Sequence, residues 1–141
     1  MPPVTIQLDA LSSVPLFSAC TRAELRRIVE VGSIANARAG REVVQQGRHG
    51  RTCYVILEGE VDVVRSGRRI ARLGRGDAFG ELALLYRGPR SATVVTTAPT
   101  QMLVLERKAF GELLVEIPDI ARKVLATMAQ RLVEVDEGVY G

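Results

Sequence analysis

The spacing of hydrophobic residues changes twice along the chain, and the first segment with a clear pattern is helical. Leu25 and Ile28 recur at helical spacing after Thr21 and Glu24, which form a capping box, and before Gly32, which supplies a stop. A capping box satisfies the first unpaired amides of a helix. The pattern therefore predicts an amphipathic helix from about residue 21, after a less patterned start to the chain.

The middle of the chain, residues 33 to 105, is patterned as strands and turns, because short β-branched runs alternate with glycines. The run at 53–57 is followed by Glu58 and Gly59 and then by the alternating run at 60–64, which indicates two strands around a tight turn. Further strands are predicted at 68–73, 93–96 and 102–105. Many short antiparallel strands at regular spacing favour a sandwich or a barrel-like roll.

Helical spacing returns at 107–116, where Phe110, Leu113 and Leu114 share a face, and Pro118 begins a last helix that is predicted to end near residue 136. The apolar positions of this last helix alternate four and three residues apart, at Ala121, Leu125, Met128, Leu132 and Val135. Such spacing suits a coiled-coil seam, and it suits equally the face of a helix that docks on the roll. The pattern leaves both interpretations open.

A length of 141 residues, with 47% hydrophobic and 25% charged residues, is typical of one globular domain with a single core. No stretch approaches the roughly 18 uninterrupted apolar residues of a membrane span, and the N-terminus lacks the organisation of a signal peptide. We therefore expect a soluble, cytoplasmic protein in which Cys20 and Cys53 are free thiols.

The charged residues narrow the function further. The net charge of +3 comes almost wholly from arginine, the side chain suited to bidentate capture of phosphate. His49 is the single histidine and lies in a loop, so a histidine-rich metal site and a histidine-dependent nucleophile are not expected. No helix-turn-helix pair follows the last helix, which argues against DNA reading. Five arginines crowd one predicted hairpin, at positions 65, 68, 69, 72 and 75. Such a cluster suits either a phosphate-rich partner or a solvated face that protects an edge strand from aggregation.

The segment from residue 76 to residue 94 carries the candidate chemistry. A glycine turn ends at Gly80 and leads into a short predicted helix at 81–85, whose first amides are unpaired and suit an anion. A second turn then delivers Arg90, whose guanidinium can close on the same anion. Because Glu81 is badly placed beside a bare anion, a ligand with both a phosphate and hydroxyl groups is favoured, such as a sugar phosphate. The alternative is a structural ion pair between Glu81 and Arg90.

This segment closely resembles the phosphate-binding cassette of cyclic nucleotide-binding domains. The resemblance rests on FGELAL at Phe79–Leu84 and PRSAT at Pro89–Thr93, which match the family pattern without a gap. Three other segments resemble further family signatures: Tyr54–Val61, Leu73 and Gly74 with Gly76 and Asp77, and Leu16 and Phe17. The resemblance spans roughly Leu11 to Val135. It implies an α+β, mainly β fold, an eight-stranded antiparallel β-roll with N-terminal helices, a short cassette helix and two C-terminal helices.

On this basis the domain is expected at residues 11–136, between an N-terminal extension at 1–10 and a tail at 137–141. In the family, Glu81 would accept the ribose 2′-hydroxyl and Arg90 would pair with the cyclic phosphate. The ligand-binding set implied by the resemblance is Gly80, Glu81, Leu82, Ala83, Arg90, Ser91 and Ala92, of which Gly80, Leu82, Ala83 and Ala92 would contribute backbone amides. Val61, Val63 and Ile70 either line the base side of the pocket or belong to the core, and Tyr86 and Arg87 receive no role.

The resemblance also bears on ligand and function. A threonine at the position of Ser91 favours cGMP in related kinases and an alanine goes with cAMP, while serine occurs in bacterial domains that resemble cAMP sensors. We therefore expect a non-catalytic cAMP sensor, with cGMP as the alternative ligand and with neither metal nor additional cofactor. Its C-terminal helices would move on binding and act on an effector that the sequence does not identify. An enzyme on a similar roll is disfavoured, and a dimerisation domain with an empty pocket, paired through the last helix, is the other alternative.

Overall fold

The computed structural model describes residues 3–140, and for residues 131 and 135–140 it describes the backbone alone. Its helices are α1 (Val4–Ser12), α2 (Arg22–Val31), α3 (Arg107–Glu116) and α4 (Pro118–Tyr140), with short 3-10 helices at Pro15–Phe17 and Glu81–Leu84. We call the second of these the cassette helix. The strands are β1 (Ser33–Ala37), β2 (Glu42–Val44), β3 (Thr52–Glu58), β4 (Glu60–Arg65), β5 (Arg68–Gly74), β6 (Ala78–Phe79), β7 (Thr93–Thr96) and β8 (Thr100–Glu106).

Within residues 3–140 the eight strands form two antiparallel sheets of four strands each, with the orders β1-β8-β3-β6 and β2-β7-β4-β5. Val44, Val61 and Val94 of the second sheet pack against Ile56 and Met102 of the first. The outer face of the first sheet is covered by the helices, and this larger core includes Phe17 and Phe110, whose rings meet edge to face at 5.7 Å. The expected eight-stranded roll with helices at both ends of the chain is confirmed.

The helix predicted from residue 21 is confirmed in detail. The Thr21 hydroxyl accepts from the Glu24 amide at 3.1 Å, and the Glu24 carboxylate accepts from the Thr21 amide at 2.8 Å, so the capping box is complete. Helix α1 begins at Val4, earlier than the domain start expected at residue 11, and it places Leu8 in the core. The domain boundary itself stays a prediction.

The two strands around Gly59 exist, but they lie in different sheets and do not pair with each other. β3 pairs with β6 and β8, whereas β4 pairs with β5 and β7. Gly59 has a φ of +113°, and a Cβ at this position would lie 2.5 Å from the Thr100 hydroxyl. The turn is therefore the crossing point between the sheets, which local alternation of side chains does not reveal.

Only part of the apolar stripe of α4 packs on the rest of the domain. The docking residues are Ile120 and Val124, which are 0% and 2% exposed, whereas Leu125 and Leu132 are 67% and 70% exposed. Met128 is partly buried against the helical core, and the side chain of Val135 lies outside the described residues. The docking interpretation of the whole stripe is therefore wrong. Among the described residues no helix is long and apolar enough to cross a membrane.

Candidate functional site

A cavity of about 310 Å³ lies between the second sheet and the cassette helix. Its size falls at the lower end of the range of small-molecule sites. All seven candidate ligand-binding residues line it: Gly80, Glu81, Leu82, Ala83, Arg90, Ser91 and Ala92. Val63 also lines it, whereas Val61 is fully buried in the core between the sheets and Ile70 is 48% exposed on β5, outside the lining.

Arg90 reaches this cavity because the chain around it is held against the loop between β2 and β3. The Arg90 amide donates to the Arg48 carbonyl and the Arg90 carbonyl accepts from the Gly47 amide, both at 2.8 Å. The guanidinium then lies between Gly50 and Gly80, and a Cβ at either glycine would collide with it. A side chain at position 50 would therefore have to displace the guanidinium, whereas Gly80 is required more strictly, because its φ is +77° and a Cβ would also lie 2.9 Å from the Thr52 carbonyl oxygen.

The Arg90 guanidinium is bonded to neutral groups. It donates to the Thr52 carbonyl at 2.9 Å and to the Thr52 hydroxyl at 3.0 Å. Within the described chain no carboxylate pairs with it, so the alternative of an ion pair between Glu81 and Arg90 is not what the fold contains. Burial holds the pKa of Arg90 below its usual value, and the nearby Arg107 acts in the same direction. The site therefore contains a partly buried cation that lacks a counterion.

Glu81 presents the complementary feature. Its Oε2 atom is buried and has no hydrogen-bond partner among the described residues. Burial raises the pKa of the neighbouring Cys53 thiol well above its usual range, and the negative charge of Glu81 adds to this effect. Buried polar atoms in native proteins are nearly always paired, so a buried carboxylate oxygen without a partner calls for a donor from outside the chain. A hydroxyl group of a ligand meets that need.

The cassette helix has one amide fewer to offer than the sequence suggested. The Ala83 amide donates to the Gly80 carbonyl at 3.0 Å, so this amide is used inside the helix. Tyr86, which received no role from the sequence, also lines the cavity. Its ring lies against Gly88, and 66% of its surface is exposed.

Arg107, the first residue of α3, is a further polar residue at the site that sequence reasoning missed. Its guanidinium donates to the Ala83 carbonyl of the cassette helix at 2.7 Å, to the Gly50 carbonyl at 3.1 Å and to the Tyr86 carbonyl at 3.4 Å. It thereby joins α3 to the cassette helix and to the loop between β2 and β3. Its partners are backbone carbonyls distant in sequence, which leave no signal in side-chain patterns.

Comparison with known proteins places this geometry in a family context. A family model described as the cyclic nucleotide-binding domain matches residues 34–116. The chain is 37% identical over 78 residues to a cAMP-dependent protein kinase regulatory subunit of Yarrowia lipolytica, covering 55% of this chain and 21% of that protein. It is 35% identical over 102 residues to the cyclic AMP receptor protein of Thermus thermophilus, covering 69% and 47%. The chain thus spans less than half the length of these two relatives.

A solved structure resembles almost the whole of the chain. The N-terminal domain of a transcriptional regulator from Streptomyces coelicolor superposes with a TM-score of 0.87 at 28% sequence identity, covering 92% of this chain and 94% of that one. The similarity therefore extends beyond the matched family model to the helices at both ends of the roll.

Proposed function

The chain belongs to the cyclic nucleotide-binding domain family, and from this premise we propose that it is a non-catalytic sensor whose ligand is cAMP. Domains of this family bind cyclic nucleotides and serve a regulatory role. The observation that carries the proposal is that, within the described chain, one cavity holds both a cation without a counterion and a buried carboxylate oxygen without a hydrogen-bond donor. Among the described residues, Arg90 has no counterion there and the buried Glu81 oxygen has no donor. A cyclic nucleotide offers a phosphate to the first and a ribose hydroxyl to the second.

In this proposal Arg90 binds the cyclic phosphate and Glu81 accepts the ribose 2′-hydroxyl. The guanidinium fork matches two phosphate oxygens, and its hydrogen bonds to Thr52 orient it before the ligand arrives. The backbone amides of Gly80, Leu82 and Ala92 add donors of partial charge. The Ala83 amide can join them only by exchanging its bond to the Gly80 carbonyl for one to the ligand.

The preference for cAMP rests on Ser91 and on the two named relatives. Both relatives carry cyclic AMP in their names. Ser91 lines the cavity. Threonine at this position favours cGMP in related kinases because its hydroxyl can reach the guanine amino group, whereas serine occurs in bacterial domains that resemble cAMP sensors. Val63 lines the same cavity and is the apolar residue of β4 that we assign to the base side.

We further propose that binding is coupled to the C-terminal helices through Arg107. This side chain bonds the cassette helix to the first turn of α3, and Phe110 and Leu113 of the same helix are buried in the helical core. A displacement of the cassette helix by ligand would therefore reach α3 directly. A usable switch needs a differential affinity between the two arrangements of about 1 to 3 kcal/mol.

Coupling can be measured as a distance between spin labels. One label replaces Arg122 on α4 and the other replaces Arg75 on the roll, with Cys20 changed to serine because its thiol is partly exposed and Cys53 retained because it is buried. cAMP should shift the distance distribution, and Arg107→Met should reduce the shift. Identical distributions with and without saturating cAMP would exclude the coupling.

The exposed stripe of α4 supports a homodimer through this helix. Leu125 and Leu132 are large apolar side chains on the surface, at spacing that suits a coiled-coil seam. The dimer would place two sensors side by side, and the output would be carried by an effector domain or partner in the cytoplasm. Sedimentation of Leu125→Asp should show a monomer where the parent chain shows a dimer. A parent chain that is already monomeric at tens of micromolar would contradict this.

Thermal unfolding tests the sensor proposal itself. A ligand that binds only the folded state stabilises it by about 2.7 kcal/mol at 100 times its dissociation constant, which raises the melting temperature by roughly 10 °C in a domain of this size. We expect this shift with cAMP and little shift with 5′-AMP, which has an open 5′-phosphate in place of the cyclic phosphodiester. Absence of any shift at millimolar cAMP, in protein shown to be free of nucleotide, would refute the proposal.

A further inference from the structure

Arg65 lies at the end of β4 on the strand face that borders the cavity. Side chains of a strand alternate between its two faces. Val61 is buried between the sheets and Val63 lines the cavity, so Arg65 is the next residue on that same face. Asp62 belongs to the opposite face, where it accepts from Arg72 at 2.9 Å. Arg65 itself is exposed and does not line the cavity in this structure, and by the alternation of β4 it follows the valine that we assign to the base side.

The Arg65 side chain is also anchored to the cavity wall. Its Nε donates to the carbonyl of Ser91 at 3.1 Å, and Ser91 lines the cavity. The adjacent turn is held in place as well, because the Ser66 amide donates to the Gln46 side chain at 2.8 Å and the Gln46 amide donates to the Thr93 hydroxyl at 2.9 Å. The guanidinium thus starts from a fixed position beside the cavity.

Most of the hydrogen-bonding capacity of Arg65 is unused. A guanidinium has five N–H donors, and in the described chain only the Nε of Arg65 has a partner. Two other arginines of the hairpin differ, since Arg72 pairs with Asp62 and Glu60, and Arg69 approaches Asp62 at 4.0 Å. Arg65 therefore retains its terminal amino groups, which form the two-pronged edge of the fork, beside the base end of the cavity.

We propose that Arg65 contacts the edge of the nucleobase and sets how well the site accepts guanine. Guanine presents two acceptors on one edge, O6 and N7, which match the arginine fork, whereas adenine presents N7 beside an amino donor that the fork cannot accept. The proposal rests on the proposed function. It adds that affinity for cGMP depends on Arg65 and that affinity for cAMP does not. Arg65 therefore reduces the difference in affinity by which the site prefers cAMP over cGMP.

Calorimetric titration of three ligands tests this directly: cAMP, cGMP and cyclic inosine monophosphate, which has O6 and N7 but lacks the 2-amino group of guanine. Arg65→Ala should weaken the binding of cGMP and of cyclic inosine monophosphate about tenfold, the effect of one bidentate base contact, and should leave the affinity for cAMP unchanged. Arg65→Lys, which keeps the charge but not the fork, should recover only part of the loss. Arg69→Ala, which removes an equal charge from the opposite face of the same hairpin, should change none of the three affinities.

Ser91→Ala separates this contact from one that the Ser91 hydroxyl would make with the 2-amino group of guanine. Loss of the hydroxyl should affect cGMP but not cyclic inosine monophosphate, whereas Arg65→Ala should affect both. Equal weakening of all three ligands by Arg65→Ala would overturn the proposal, because it would mean that Arg65 only attracts anions or supports Ser91. No change with any ligand would also overturn it while leaving the sensor function intact. A parent chain that binds none of the three would instead refute the proposed function.

Discussion

Several charged side chains on the helical side of the molecule pair with an oppositely charged residue, whereas within the described residues Arg90 and the buried Glu81 oxygen of the cavity have no such partner. Arg27 of α2 forms a two-pronged ion pair with Glu116 of α3, and Glu24 of α2 accepts from Lys123 of α4 at 2.6 Å. In the cavity, the guanidinium of Arg90 bonds to Thr52 and, among the described residues, to no carboxylate. The fold is able to neutralise charges across elements and does so where they hold helices together. Unmatched charges in the cavity therefore indicate groups kept available for a ligand.

The largest effect that follows from this contrast is on binding. Arg90→Ala removes from the cavity a cation that has no counterion among the described residues, and it should weaken the binding of cAMP by about 2 to 4 kcal/mol, as truncation of one partner in a buried charged pair does. Arg90→Lys should recover part of the affinity, since it restores the charge but not the fork. Calorimetry gives the affinities. If both variants bind as the parent does, the ligand lies elsewhere and the contrast between the two regions is broken.

Glu24 supplies the opposite case, in which a substitution should alter stability and leave binding unchanged. Glu24→Ala removes the carboxylate half of the capping box and the partner of Lys123, while the Thr21 hydroxyl keeps its bond to the backbone amide of residue 24. It should lower the free energy of unfolding by about 1 kcal/mol, the net contribution of a typical hydrogen bond. Glu24→Gln can keep the cap and should cost less. Urea unfolding measures the stability, and titration with cAMP checks the affinity. A loss of affinity that matches the Arg90 variants would show that the two regions are not separate.

The same carboxylate predicts a pH dependence on the helical side. Burial acts to raise the pKa of Glu24, but hydrogen bonds from Lys123 and the Thr21 amide outweigh it and hold that pKa below its ordinary value of 4.5. The stabilisation is therefore full above pH 4.5 and is lost as the pH falls through the lowered native value. The difference in stability between the parent and Glu24→Gln should be present at pH 7 and should disappear in stronger acid. A difference that persists unchanged would contradict the assignment.

The smallest effect is expected at a matched but exposed pair. Arg22 and Asp9 lie 2.8 Å apart, with 52% and 60% of their side chains exposed, and such pairs contribute little. Arg22→Ala should alter neither the melting temperature nor the affinity for cAMP beyond experimental error. A clear effect on either would mean that even an exposed ion pair contributes measurably, and that burial does not decide which charged residues matter.

Local sequence signals were sufficient for much of the fold. Three elements occur where they were predicted: the capping box, the strand at Thr93–Thr96 and the helix at Arg107–Glu116. Each was predicted from residues that lie within or directly beside it in the sequence. The sheet assignments of the strands around Gly59 were not predictable in this way. They depend on pairing with strands distant in sequence, including β7 and β8.

The candidate site divides along the same line. The residues named from the contiguous motifs meet in one cavity, and their roles toward a ligand stay predictions. Thr52 and Arg107, which hold the site from outside those motifs, bond to Arg90 or to backbone carbonyls, and no pattern of side chains announces such contacts. The exposed stripe of α4 was recognised, but only burial of Ile120 and Val124 separates a docking face from a free one.

The central claim is that the unpartnered Glu81 oxygen is kept for the ribose hydroxyl of the ligand, and a titration cycle tests it most directly. cAMP and its 2′-deoxy analogue are each titrated into the parent chain and into Glu81→Ala. In the parent, loss of the 2′-hydroxyl should cost about 1.5 to 3 kcal/mol, as for a hydrogen bond to a charged group. In Glu81→Ala the two ligands should bind with nearly equal affinity. A full penalty for the deoxy ligand in both proteins would contradict the account, because the hydroxyl would then be bound by some other group.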